Sequence, residues 1–400
     1  MIKKFLFSFF LLAFFIFPPP SFASSPFGMN VDLFWTWDQL LPPGKWELIV
    51  RTMAEAGVKN VRLPIYWPEI QGLTESKGTD PSLWKWDKHD QFIKLLVDND
   101  IAPLAYFMFT PQWAYQDPNC NQDGTVRWQG RICAPNPQVF AYFVEKTVER
   151  YGCGPGGKCQ IKNWEIWNEP DLNSNTYFYG SLSDYGQMLY RGYRAVKKSD
   201  PQAIVVLGGI SQAGIEPGAY LDQLLSKTYL NKPASAYFDV FNFHYYYGHT
   251  NDLVYDGLKR VKQVLAKYGL ESKPVWMTEV NRGGQCVDPN LVAAELTKVF
   301  EPLIAAGVEK IYWFEVAAKD NLNICGQANR FRHPPFLARI YEGDKVVDYR
   351  LISPMFNAYQ AMTEASIIDE MDLARLLSSW PSDSEGKAKL QNLLSNWKTK

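Results

Sequence analysis

The sequence predicts a (β/α)8 barrel with a short helical C-terminal extension, and three observations carry that prediction. Eight short β-rich runs alternate with eight amphipathic runs, the pattern of a parallel sheet wrapped by its own crossover helices. The run Ala203–Gly208 is apolar throughout, as a strand buried on both faces is. The runner-up, an open doubly wound sheet, needs a Gly-rich phosphate loop after its first strand, and none is present. Gly154-Pro155-Gly156-Gly157 precedes a strand and reads as a turn.

Taken in order, Phe27–Val31 is a first strand and Trp46–Ala56 an amphipathic helix closed by Gly57. Asn60–Pro64 is strand two, followed by the helix Asp87–Asp98. Ala102–Phe109 is strand three. Its helix, Pro137–Tyr151, places Phe140, Phe143, Val144, Val148 and Tyr151 at helical spacing. Strand four runs through Trp164 and Ile166 and stops near Pro170, which has no N–H for a ladder. Ser183–Lys198 is the next helix, with Ser183 as its N-cap. Ala203–Gly208 is strand five, Pro217–Leu230 a helix and Phe238–His244 strand six. Leu253–Tyr268 is helical, Pro274–Asn281 is strand seven and Leu291–Ala306 a helix ended by Gly307. Lys310–Glu315 is strand eight, and Pro354–Thr363 begins the last helix. One catalytic-sized domain is thus expected over residues 24–365, with 366–400 as a charge-rich helical tail that carries no chemistry.

Lys3 and Lys4, the apolar run Phe5–Phe17 and the small residues around Ala23 form a secretory leader, with cleavage expected after Ala23. The run is short for a membrane span, and Pro18-Pro19-Pro20 breaks any longer helix; an uncleaved anchor is the alternative. A secreted or periplasmic protein with no later membrane segment follows. In such a compartment six cysteines suggest disulfides. Local pairing joins Cys120 to Cys133, Cys153 to Cys159 and Cys286 to Cys325, although six cysteines allow many connectivities. With four His residues, none at ligand spacing from a Cys pair, no metal and no cofactor are expected. A formal net charge of −1 argues against nucleic acid as a partner. Aromatic residues make up 15% of the chain, enough for a core and for sugar-stacking platforms.

Two carboxylates stand at strand ends. Glu169 follows Trp167 and Asn168 at the C-terminal end of strand four, and Glu279 ends strand seven in Trp276-Met277-Thr278-Glu279. In a parallel barrel that end is the catalytic rim. Two carboxyl groups across such a rim suit glycosidic bond cleavage, one protonating the leaving oxygen and the other attacking the anomeric carbon. The bland alternatives are surface-loop or buried structural carboxylates. There is no Gly-x-Ser-x-Gly motif, and the cysteines look paired, so a Ser or Cys hydrolase lacks support.

Trp167-Asn168-Glu169-Pro170 with a later Thr278-Glu279 on a strand resembles clan A of the glycoside hydrolases. Within the clan the chain is most similar to family 39, whose members include β-xylosidases, α-L-iduronidases and endoglycosidases acting on bacterial exopolysaccharide. The resemblance extends from about Phe27 to Glu364. It implies Glu169 as general acid/base and Glu279 as nucleophile of a retaining enzyme. The acid's pKa must sit higher than its partner's, and Trp167 on the same strand offers an apolar wall for that. The resemblance also implies that Asn168 bonds the sugar 2-OH, that Arg62 keeps the nucleophile ionised and that His244 and Tyr246 form a His-x-Tyr pair with Tyr246 donating to Glu279. Tyr245 or Tyr247 takes that place if the register is shifted, and a structural salt bridge is the alternative for Arg62. Trp313 matches the aromatic floor under the sugar, with a core position as its alternative. Asp171, Tyr177 and Trp113 are weaker candidates on rim loops. The small β-domain of family 39 β-xylosidases is not legible here, and the loops after strands three, seven and eight are long and Cys-bearing. The expected partner is a poly- or oligosaccharide, and a monomer is expected. The competing readings are a family 5-like β-glucanase or mannanase and a catalytically silent carbohydrate-binding barrel.

Overall fold

The computed structural model describes residues 25–31, 45–173, 175–247, 254–284, 286–319, 325–326, 328–343 and 345–378. The expected leader and residues 379–400 of the tail lie outside the described residues. Eight parallel strands form the barrel: β1 (Phe27–Asn30), β2 (Asn60–Tyr66), β3 (Ala102–Met108), β4 (Asn163–Asn168), β5 (Ile204–Gly209), β6 (Phe241–Tyr247), β7 (Val275–Arg282) and β8 (Val308–Trp313). Except for β5 with β6, each pairs with its sequence neighbour, and β8 pairs with β1. Between β5 and β6 the wall is bridged by Leu207 N to Val240 O at 3.1 Å and His244 N to Ile210 O at 2.8 Å. The strands are buried on both faces because side chains alternate between the barrel interior and the surrounding helices. Leu104, Val206, Val240, Trp276 and Tyr312 fill the interior as one apolar cluster.

The helices are α1 (Trp46–Glu55), α2 (Trp67–Gln71), α3 (Asp87–Asp98), α4 (Pro137–Tyr151), α5 (Leu182–Ser199), α6 (Tyr220–Leu225), α7 (Val254–Lys267), α8 (Pro289–Ala293), α9 (Leu296–Ala305) and α10 (Ser353–Ser378). α4 starts where the Asn136 side chain accepts from the N–H groups of Gln138 and Val139 and Pro137 supplies the first helical residue. Its buried face meets α2 and β3: Phe143 stacks on Trp67 at 4.9 Å and packs edge-on against Phe107 at 6.1 Å. Gly57, at φ 79°, ends α1 in a conformation that disfavours a side chain.

Four expectations need correction. The N-cap of α5 is Ser181, in a capping box with Asp184, because Ser181 is the residue whose hydroxyl meets the exposed N–H of the first turn. The helix expected over 217–230 is reduced to α6, and a two-stranded ribbon of Thr228–Tyr229 and Lys232–Pro233 follows. Residues 291–306 are broken into α8 and α9, with Pro302 inside the second. A three-stranded sheet, β9 (Ala317–Lys319), β10 (Leu337–Glu342) and β11 (Lys345–Leu351), stands between β8 and α10. α10 returns to the start of the barrel, where the Tyr359 hydroxyl donates to Gly28 O at 2.9 Å.

All three locally paired disulfides form: Cys120–Cys133, Cys153–Cys159 and Cys286–Cys325. Among the described residues no helix is long and apolar enough to cross a membrane.

Candidate active site

Arg62 on β2 is the hub of the rim. Its guanidinium is fully buried and every nitrogen is engaged. Nε and Nη2 donate to the two oxygens of Glu165 at 2.7 and 2.9 Å. Nη1 donates to Glu279 Oε1 at 2.7 Å and to Asn30 Oδ1 at 3.2 Å, and Nη2 also donates to Asn168 Oδ1 at 2.7 Å. The plane lies over the Tyr106 ring at 3.9 Å. Burial alone would lower its pKa, but the carboxylates of Glu165 and Glu279 outweigh it and raise the group above its usual range. The cation is therefore permanent, and a charged pair this deep is retained only with such complete hydrogen bonding.

Two local departures from strand alternation bring the carboxylates to this hub. In β4, Glu165 faces inward; Trp167 then takes φ 76°, which turns its ring out against Phe178 and returns Asn168 to the interior. Glu169, at φ 43°, follows with its N–H donated to Gly209 O. In β7, both neighbours lose register around Thr278, as at a bulge, so that Thr278 and Glu279 both point inward. β6 stays regular and presents Asn242, His244 and Tyr246 on one face.

His244 lies between the two glutamates. Its Nδ1 is 2.9 Å from Glu169 Oε1 and 3.5 Å from Glu279 Oε2, and its Nε2 is 3.0 Å from Thr278 Oγ1. Gly209 makes room for the ring, since a Cβ there would stand 2.0 Å from Nε2. Burial pushes the imidazole pKa down to about 4, against the pull of Glu279, so the ring is neutral near pH 7. The Tyr246 hydroxyl donates to Glu279 Oε2 at 2.5 Å, and burial with the adjacent Glu279 charge holds the phenol well above its usual range. Glu279 thus accepts a hydrogen bond on each of its oxygens. Glu169 has no such support. Burial, then the charge of Asp171, push its carboxyl up to about 8, and Arg62 only partly opposes this. Two carboxyl groups with unlike hydrogen-bond partners thus face the same space.

One oxygen of each glutamate and one nitrogen of His244 lie within 4.8 Å of one another. Among the described residues this is the set that could offer three ligand atoms to a cation. Arg62 and Tyr246 already satisfy the Glu279 oxygens, so the donor set fits proton transfer better than metal binding.

Of the residues singled out in the sequence, Arg62, Asn168, Glu169, His244, Tyr246 and Glu279 converge here. Tyr245 faces outward, where Arg260 donates to its hydroxyl at 3.1 Å. Trp313 does not join them: it is fully buried, its ring tilts against Phe300 of α9 and its Nε1 donates to Pro334 O at 3.1 Å. Strand parity explains the miss, because Tyr312 faces the interior and the next inward position is Phe314. Phe314 is partly exposed and packs edge-on against Tyr246 at 5.9 Å. Trp167 likewise faces away from the cleft, so the acid has no aromatic wall from that residue. Trp113 donates to Gly72 O at 3.0 Å and packs on Trp67. Tyr177 stacks with Trp128 at 6.4 Å above β4.

Sequence reading passed over Asn30, Glu165, Thr278 and Glu315. Glu165 was legible as a charge inside an otherwise apolar strand. Glu315 ends the β8 segment, accepts from Arg339 Nη2 at 3.1 Å, and is pushed up to about 7 by burial, with the nearby Glu279 adding to the rise. Its partner sits on β10, an element that the sequence reading did not contain.

A family model described as Cellulase (glycosyl hydrolase family 5) matches residues 21–319. No curated protein sequence matches the chain. Among solved structures, a glucosidase from Croceicoccus marinus is similar at 16% identity and TM-score 0.59, over 86% of this chain and 69% of that one. A monomeric β-xylosidase from Caulobacter crescentus CB15 is similar at 16% identity and TM-score 0.60, over 85% and 68%. A family 39 glycoside hydrolase from Bacteroides cellulosilyticus WH2 is similar at 16% identity and TM-score 0.57, over 84% of this chain and 63% of that one. At such identity these structures speak for the barrel fold. The clan A resemblance stands, with the matching family model being the one for family 5. The chain belongs to glycosyl hydrolase family 5, the cellulase family, and is a glycosidase of clan A.

Proposed function

We propose that the protein is an exported retaining glycosidase that cleaves O-glycosidic bonds of a poly- or oligosaccharide, with Glu279 as nucleophile and Glu169 as acid/base. The carrying observation is the closeness of the two carboxyl groups, with an oxygen of each within 4.8 Å of the other. Retaining enzymes space them at about 5–5.5 Å, whereas inverting ones leave about 6.5–9.5 Å for a water. Glu279 Oε attacks the anomeric carbon as the bond to the leaving oxygen breaks, and Glu169 gives that oxygen its proton. A glycosyl ester on Glu279 results. Glu169, now ionised, takes a proton from water, whose oxygen displaces Glu279 and restores both groups. Asn168, with Oδ1 held by Arg62, keeps its Nδ2 donors for the sugar 2-OH. Phe314 is the aromatic surface for the ring. Export is supported by the leader-like N-terminus and three disulfides.

The test is a screen of purified protein against polysaccharides and aryl glycosides, with Glu279→Ala and Glu169→Ala beside the wild type. Glu279→Ala is expected to abolish turnover. Glu169→Ala is expected to lose about 10²–10⁴-fold on poor leaving groups and far less on activated ones. Equal mild losses in both would overturn the assignment, and tight binding without release in the wild type would point to a silent binding barrel.

A further inference from the structure

The turn that carries Glu169 is strained, and a side chain outside the reaction described above holds it. Trp167 and Glu169 both have positive φ, at 76° and 43°. Such conformations are unfavourable for residues with a side chain and persist only where the surroundings enforce them. On one side the enforcement is visible in Trp167, whose Nε1 donates to Tyr177 O at 3.0 Å. On the other it is Asp171. Ser211, two residues beyond β5, donates its N–H to Asp171 Oδ1 at 3.0 Å and its hydroxyl to Oδ2. Gly214 closes the recess, since a Cβ there would stand 2.5 Å from Oδ2. The Glu169 N–H to Gly209 O bond, at 3.0 Å, pins the same turn to the same strand end. Asp171 forms no ion pair among the described residues; burial raises its carboxyl, and the two bonds from Ser211 oppose that rise.

Those surroundings are the acid. The charged and titratable groups that act on Glu169 are Arg62 from β2, Glu165 from β4, His244 and Tyr246 from β6, Glu279 from β7 and Asp171 from its own loop. His244 and Tyr246 are neutral near pH 7, and Arg62 is already shared by two carboxylates. Of two neighbouring carboxyl groups the proton goes to the one whose anion is less well bonded. Asp171 accepts two hydrogen bonds from Ser211, while Glu169 has the neutral imidazole alone.

We propose that Asp171 is the positioning residue of the acid: bonded to Ser211, it locks the strained turn that aims Glu169, and its carboxylate, held as acceptor by those two bonds, favours the proton on the neighbouring carboxyl. The proposal rests on Glu169 being the acid/base. Two variants separate its halves. Asp171→Asn keeps an acceptor for the Ser211 N–H and a partner for its hydroxyl but removes the charge. Asp171→Ala removes both.

The experiment is kcat/KM against pH for wild type, Asp171→Asn, Asp171→Ala and Glu169→Ala, on two aryl glycosides of the sugar found by the screen. One carries a poor leaving group and the other dinitrophenolate. For Asp171→Asn the alkaline limb on the poor leaving group is expected to move about one pH unit toward acid, with the low-pH plateau kept within about twofold. For Asp171→Ala a further loss of at least about tenfold is expected on the poor leaving group and little on the dinitrophenyl glycoside. An unmoved limb in Asp171→Asn, or parallel losses on both substrates in Asp171→Ala, would reduce Asp171 to a stabilising residue and overturn the proposal. If Glu169→Ala itself shows no preference for the activated substrate, the acid assignment has failed and this inference goes with it. If Glu169→Ala behaves as an acid lost while the Asp171 variants do not, the inference alone has failed.

Discussion

At the scale of single residues, the site is a problem in placing one proton. Glu169 is pushed from its ordinary 4.5 up to about 8, mainly by burial, while Arg62 and Tyr246 each donate a hydrogen bond to Glu279. A carboxyl whose folded pKa is raised favours folding fully below its unfolded pKa, and that contribution disappears as pH rises through the folded value. Glu169→Gln removes the titration. The melting temperature of this variant is therefore expected to match wild type near pH 4.5 and to exceed it increasingly up to about pH 8, as thermal melts across that range would show. A constant gap, or none, would place the buried proton elsewhere. Most of these residues were legible in the sequence because Trp167-Asn168-Glu169-Pro170 and His244-Tyr245-Tyr246 carry side-chain types that a sugar site needs. What was not legible is the way β4 and β7 depart from alternation. Counting by twos from Glu169 gives Trp167 a place inside the barrel, which its positive φ takes away. In β8 the parity holds, and there it moves the aromatic from Trp313 to Phe314.

At the scale of elements, strands buried on both faces and helices with a single apolar stripe were readable, since composition and period fix both. The Pro217–Leu230 run was not, because its apolar residues serve a short helix and a ribbon packed against α5 instead of one long stripe. The sheet β9–β11 escaped for another reason: its strands pair with one another, and Ile340 and Leu351 remain largely exposed, so no clean alternation marks them. α4 gives a direct check on the packing argument. Phe143 is fully buried between Trp67, Trp84 and Phe107. Phe143→Ala is expected to destabilise the fold by about 3–5 kcal/mol in urea unfolding, the range for large-to-small changes in a core. A loss below about 1 kcal/mol would mean that the aromatic cluster between α4 and the barrel is loosely packed.

At the scale of the whole molecule, two histidines set the acid limit. Burial lowers His89 on α3 to about 3 and His244 to about 4. A base whose folded pKa is depressed supports folding above its unfolded pKa, near 6.5, and that support is lost as pH falls toward the folded value. The melting temperature is expected to fall between about pH 6.5 and 4. His89→Gln should flatten part of that slope without touching the active site. An unchanged slope would exclude His89 as a contributor.

The bond from Tyr359 to Gly28 joins residues 331 positions apart. Thr363 adds a second tie, from its hydroxyl to Ala56 O at 2.9 Å. The opening strand of the cylinder thus gets its outer cover from the last of the described helices. While the polypeptide is still being made, β1 has neither β8 beside it nor α10 behind it, so a partly synthesised chain presents an unfinished edge. The ring closes as a late, long-range event, and such topologies fold slowly. A nascent chain stopped before Ser353 should stay protease-sensitive along its whole length, whereas one carried through Ser378 should resist. For a protein proposed to leave the cell, that delay is useful, because a polypeptide that has not yet shut its barrel is still thin enough to be threaded.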